Sequence, residues 1–234
     1  MMKKMMGFTL AEVLTTLMVI GVVAAMTIPT LMNSTNDQQL KVAYKKAMSV
    51  LGQGVQLMVA KEVECDVHDD ASLAKCFSDN VLSGTPVASD KDNSGAQKNV
   101  IATSDGMAYA FYYGDTTHAT AGTKRNFEDI CGLFGSETGQ IGSGVNDYNA
   151  SGANCFVVVD VNGFNKGAKG FDTAGRTTPA KVAAGGFTGF ANATDQQGII
   201  LAGNGVRPVY AAGNLKGYQW MFGESAKPFS ANPN

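Results

Sequence analysis

Three groups of side chains in this sequence have types and spacings that bear on chemistry. Glu12 is a lone carboxylate inside "GFTLAEVLTTLMVIGVVAAMTIPTLM", Gly7 to Met32, a run with no other formal charge. A carboxylate in apolar surroundings is stable only when it is paired or hydrogen-bonded, so Glu12 needs a partner. Cys65, Cys76, Cys131 and Cys155 form an even set in the polar part of the chain, which suits two disulfides in an exported protein. Asp160, Asn162, Asn165 and Asp172 in "DVNGFNKGAKGFD" are hard oxygen donors set among glycines, a donor class that suits calcium. That stretch fails the EF-hand pattern, because Phe164 and Phe171 occupy its fifth and twelfth positions. The reading the sequence favours there is a turn whose Asp and Asn side chains bond their own backbone, with calcium the alternative.

Other arrangements carry less. Cys65, His68 and Cys76 can be drawn as a zinc cluster, but the spacing matches no finger or ribbon, and a Cys65–Cys76 bridge is the preferred reading. Cys131 and Cys155 bracket a glycine-rich stretch, and a bridge between them would contribute about 3 kcal/mol by chain entropy. Four cysteines allow three connectivities, and spacing does not choose among them. His68 and His118 have no nucleophile pattern beside them and read as surface residues. No G-x-S-x-G elbow, H-E-x-x-H, phosphate loop or complete dinucleotide fingerprint occurs, so an enzyme is not expected. A net charge of −2 with 16% charged residues gives nucleic-acid binding no bulk electrostatic support.

The elements that must position these groups come from two different materials. Residues 8–32 are nearly all apolar or small, and as a helix they would reach about 37 Å, enough to cross a hydrocarbon core of about 30 Å. Lys3 and Lys4 precede the run and are held on the cytoplasmic side, which places the rest of the chain outside the cytoplasm. Over residues 33–60, Leu40, Ala43 or Tyr44, Ala47, Leu51, Val55 and Met58 recur at helical spacing, with Lys41, Lys45 and Lys46 off that stripe. Gly52 and Gly54 weaken this amphipathic continuation near its end. A short helix is expected over Ala71 to Leu82, capped by Asp69 or Asp70.

Beyond it the chain turns to β structure. Strands are expected over Gly106–Tyr113, Cys155–Val161, Gly198–Ala202 and Arg207–Ala212, forming an antiparallel sheet laid over the helix. "GSETGQIGSGVNDYNASGAN" and "KVAAGGFTGFANATDQQ" read as surface loops. The fold class is therefore α+β, a long N-terminal helix whose first half spans the membrane and whose second half packs on an antiparallel head, residues 61–234.

A short basic leader ending in Gly7, then Phe8, Thr9, Leu10, a small residue and Glu12, then "VLTTLMVIGVVAAMTIP", resembles the N-terminus of type IV pilins and of type II secretion pseudopilins. The resemblance covers roughly the first 35 residues. It implies a leader of residues 1–7, cleavage between Gly7 and Phe8 by a prepilin peptidase, and methylation of the new amine on Phe8. It also implies the family's shape, a long helix packed against a β-rich head. Glu12 lies four residues from Phe8, about one helical turn, so its carboxylate can meet that amine within one subunit or between staggered ones. In the family the matching acid is thought to pair with the amine of a neighbouring subunit during docking.

The implied partners are the peptidase, other pilin or pseudopilin subunits and the inner membrane. The implied localisation is single-pass in the inner membrane, with a periplasmic or extracellular head. Calcium enters here too, since secretion pseudopilins often carry it in a head loop; no other cofactor is implied. Gly21 and Pro29 are positions at which the helix either breaks or is tolerated unbroken. The alternative from another class is an exported binding protein, for carbohydrate as one case, delivered by an ordinary signal cut after Ala25 or held by a plain anchor.

Overall fold

The computed structural model describes residues 9–84, 86–87, 98–114, 120–134, 155–163, 195–209 and 215–223. Gly7, Phe8, His118, Asn165 and Asp172 lie outside the described residues. The chain divides into two units, Met1–Leu40 and Lys41–Asn234. The residues from Lys41 onward belong to the second unit.

Helix α1 covers Leu10–Ala60 without interruption. Gly21 and Pro29 lie inside it, and of the two readings of these positions the single chain shows the unbroken one. Proline withholds one amide, but the helical bonds on either side remain, and the Thr27 hydroxyl donates to the Val23 carbonyl at 3.0 Å one turn earlier.

In the second unit the buried stripe of α1 is Tyr44, Ala47, Met48, Leu51, Val55 and Met58, as helical spacing requires. The helix ends at Ala60, a few residues after Gly52 and Gly54. A Cβ on Gly54 would collide with the Val81 side chain, and one on Gly52 would touch Val206 Cγ2 at 3.4 Å. Their lack of a side chain lets the helix approach its neighbours closely, a benefit set against weaker helix propensity.

After β1 (Glu64–Cys65) comes α2 (Asp70–Asn80). Asp69 is its N-cap in a reciprocal box, with the Ser72 amide donating to Asp69 Oδ1 at 2.7 Å and the Asp69 amide donating to Ser72 Oγ at 2.9 Å. Strands β2 (Val100–Ala102), β3 (Ala108–Tyr113), β5 (Cys155–Asp160), β6 (Gln196–Ala202) and β7 (Gly205–Pro208) form an antiparallel sheet in that order. The two-residue β4 (Arg125–Asn126) pairs with β1 and leads into α3 (Phe127–Cys131), while α4 (Leu215–Phe222) follows β7. The described molecule is thus α+β, an apolar N-terminal helix with an antiparallel sheet.

The sheet is buried on both faces. Phe77 of α2 lies on Phe111 with ring centroids 4.7 Å apart and meets Phe127 edge-on at 5.6 Å. On the opposite face Ala108, Ala110, Tyr112, Phe156, Val158 and Ile200 share a cluster with Phe134 and Val209. This explains why β3 and β5 are apolar at nearly every position rather than alternating.

Disulfides join Cys65 to Cys76 and Cys131 to Cys155. The first ties β1 to α2, and the second ties α3 to the start of β5. Lys46 of α1 reaches Asp105, in the turn between β2 and β3, at 2.8 Å.

Gly54→Leu lowers the stability of the full chain by about 1–3 kcal/mol, because the added side chain must displace Val81. Gly21→Ala, a position with nothing within 4 Å, does not lower it. Denaturant midpoints of the two variants in detergent check this, and equal midpoints contradict the close-approach role of Gly54.

Candidate functional site

Residues Leu10–Pro29 of α1 are apolar and long enough to cross a membrane, and none of that segment is buried by protein. Leu10 is 79% exposed, Met18 73% and Met26 72%, whereas Leu51 and Val55 farther along the same helix are fully buried. The threonines in the run are compatible with a water-poor environment. Thr15 donates its hydroxyl to the Ala11 carbonyl at 3.0 Å, and Thr16 to the Glu12 carbonyl at 3.0 Å.

Glu12 stands in the first turn of this helix and is bonded to Thr9, three residues before it. The Thr9 amide and the Thr9 hydroxyl both donate to Glu12 Oε2 at 2.9 Å, and the Glu12 amide donates back to Thr9 Oγ1 at 3.3 Å. This is a capping box of the T-x-x-E type, which satisfies amides that the first helical turn would otherwise leave open. The sequence carries that signature in "TLAE", and reading Glu12 only as a misplaced charge overlooks it. The carboxylate thus has a partner within its own helix, at the end where the helix dipole also favours an anion.

A second polar group lies where β5 ends and β6 begins. Asp160 Oδ1 accepts from the Gly163 amide at 3.0 Å and the Asn162 amide at 3.2 Å, while Oδ2 accepts from Gln196 Nε2 at 3.1 Å. Asn162 Nδ2 donates to Asp195 Oδ2 at 3.0 Å. These are the self-bonded turn contacts that the sequence sets against calcium, with N–H donors on both Asp160 oxygens. Among the described residues no group of three or more His, Cys, Asp or Glu is placed to hold a metal ion.

Asp195, Gln196 and Gln197 are buried, so the expected surface loop gives way to strand earlier than the sequence suggests. Their polar ends are absorbed by specific partners. Gln197 Oε1 accepts from the Gly217 amide of α4 at 2.7 Å, and the buried Tyr44 hydroxyl donates to the Gly198 carbonyl at 3.1 Å. Cys65 and Cys76, joined to each other, are not available as thiolates for zinc. His68 is part-exposed, with Nδ1 3.4 Å from Asp66 Oδ1.

Compared with family models, curated proteins and solved structures, the chain matches none.

Two carboxyls in the head titrate above the ordinary range. Burial pushes Asp70 up to about 6, against the Tyr113 amide that donates to it at 2.7 Å and with the Asp69 charge adding to the rise. Burial likewise pushes Asp160 up to about 6; Gln196 opposes the rise and the Asp195 charge reinforces it. Between about pH 4 and pH 6 the folded carboxyls hold protons that the unfolded chain has released. Folding then binds protons, so stability rises as pH falls through that window. The melting temperature of the full chain in detergent is higher at pH 5 than at pH 7.5, and Asp70→Asn reduces the difference. A flat or reversed wild-type profile contradicts this.

Proposed function

We propose that this chain is a structural subunit of a helical filament, of the type IV pilin or type II secretion pseudopilin class. The observation that carries the reading is the combination at the N-terminus. A basic leader and a Gly7-Phe8 junction precede an apolar helix whose only formal charge is Glu12, and that helix is uncovered by protein over Leu10–Pro29. The α+β layout, with a long helix leading into a disulfide-linked antiparallel head, is compatible with a pilin-like fold.

On this reading the peptidase removes residues 1–7 and methylates Phe8, and the subunit waits in the inner membrane with its head outside the cytoplasm. Assembly exchanges lipid for neighbouring helices around Leu10–Pro29. Because lipid tails are as apolar as leucine, that exchange supplies little net energy and almost no register. Glu12 supplies the register: its carboxylate meets the free amine of the adjoining subunit, and a misaligned subunit leaves a buried charge unpaired. The role is structural, and no chemistry on a substrate is assigned to the head.

Mass spectrometry of the mature N-terminus tests the proposal. A chain beginning at N-methylated Phe8 is the expected product. A chain beginning at Met26 identifies an ordinary secretory signal and refutes the filament reading.

A further inference from the structure

We infer that Asn162–Gly163 is a self-modifying site, at which the fold promotes conversion of the Asn162 amide to a succinimide and then to aspartate or isoaspartate. The inference stands apart from the filament reading. The sequence has two Asn-Gly pairs, Asn162–Gly163 after β5 and Asn204–Gly205 at the β6–β7 turn. In such a pair the backbone nitrogen that follows reaches the asparagine side-chain carbon with least obstruction, because glycine has no Cβ. Local sequence treats the two pairs alike, so a difference in rate between them comes from their surroundings.

Those surroundings differ in kind. At the first pair the attacking group, the Gly163 amide, donates to Asp160 Oδ1 at 3.0 Å, so a carboxylate already stands on the proton that has to leave. The departing nitrogen, Asn162 Nδ2, donates to Asp195 Oδ2 at 3.0 Å. Asn162 Oδ1 is buried without a partner among the described residues, which raises the free energy of the starting amide. At the second pair one residue holds the amide by both ends. Asn204 Oδ1 accepts from the Phe134 amide at 2.9 Å, and Nδ2 donates to the Phe134 carbonyl at 3.0 Å. Cyclisation there has to break both bonds.

The chemistry balances within the turn. Asp160 takes the Gly163 amide proton as that nitrogen bonds to Asn162 Cγ. The Cγ–Nδ2 bond then breaks, and the proton leaves with Nδ2 as ammonia. Water opens the ring at either carbonyl, which gives aspartate, or isoaspartate with one more carbon in the backbone. Aspartate at 162 replaces the donor to Asp195 with a second carboxylate, and like charges repel. Isoaspartate displaces Gly163, whose φ of +99° and close approach to the Gly106 carbonyl leave no room for a Cβ. Either product loosens the end of β5.

The test uses the full chain in detergent, aged in neutral buffer and digested, with both pairs quantified by mass spectrometry and isoaspartate content. In the folded chain Asn162 is expected to convert about a hundredfold faster than Asn204, the lower end of what a positioned base contributes. It is also expected to convert faster than it does in denaturant with the disulfides intact. A folded-state rate at Asn162 no greater than its rate in denaturant, or no greater than the rate at Asn204, overturns the inference.

Asp160→Asn keeps an oxygen for the Gly163 amide but removes the base. Conversion at Asn162 in this variant is expected to fall to the rate in denaturant, and an unchanged rate in the folded variant overturns the role of Asp160. If the variant does not fold, the folded and denatured wild-type rates decide the inference without it.

Discussion

An apolar helix without a protein partner is the constraint on which the rest depends. Each Leu, Val, Ile or Met side chain left in water forfeits about 1.5–3 kcal/mol relative to burial. Leu10–Pro29 displays such side chains around the helix, with no part of the segment buried. The segment is compatible with a membrane anchor and with a signal sequence. In lipid, the polar atoms of such a helix have to be satisfied within it. The back-bonded hydroxyls of Thr15, Thr16 and Thr27 and the Thr9–Glu12 box do this, and they leave one ionisable group at the end of an otherwise neutral rod.

The second unit solves the opposite problem, a sheet that must hide both faces. Helix α2 closes one side through Phe77, and Phe134 and Val209 join the core cluster on the other. Asn204 fixes Phe134 from both directions, accepting from its amide at 2.9 Å and donating to its carbonyl at 3.0 Å, while the Arg207 guanidinium lies 4.2 Å from the ring centroid. The two disulfides then fasten β1 to α2 and α3 to β5, so the short elements are not left to hold themselves. Lys46 adds a link between α1 and the β2–β3 turn. Although partial burial opposes it, the bonds from Lys46, Thr103 and Met107 hold the Asp105 carboxyl below its usual range.

Much of this was legible in the residues because periodicity and burial agree there. The stripe from Tyr44 to Met58 repeats at helical spacing and is buried, and the runs "AYAFYY" and "CFVVVD" are strands because they are apolar enough to be covered twice. Single residues misled where tertiary contact overrides local preference. Gly54 reads as a helix weakener but is a point of close approach, and Gln196 and Gln197 read as loop because their buried hydrogen-bond partners lie far away in sequence. Pro29 reads equally as a break or as a tolerated residue, and the helix passes through it. At the candidate site, Glu12 stood out by charge alone. Thr9, its partner, is an ordinary threonine until the T-x-x-E spacing is taken as a cap.

On the proposed function, Leu10–Pro29 is covered in the filament by copies of the same helix. Site-specific photo-crosslinking from Leu17 of the full chain, in cells assembling the filament, addresses it most directly. The proposed assembly gives a ladder of covalent dimers, trimers and larger species of this chain, arising from a position that is 61% exposed in the single chain. Crosslinks to lipid alone, with no second copy captured at any level of expression, would contradict it.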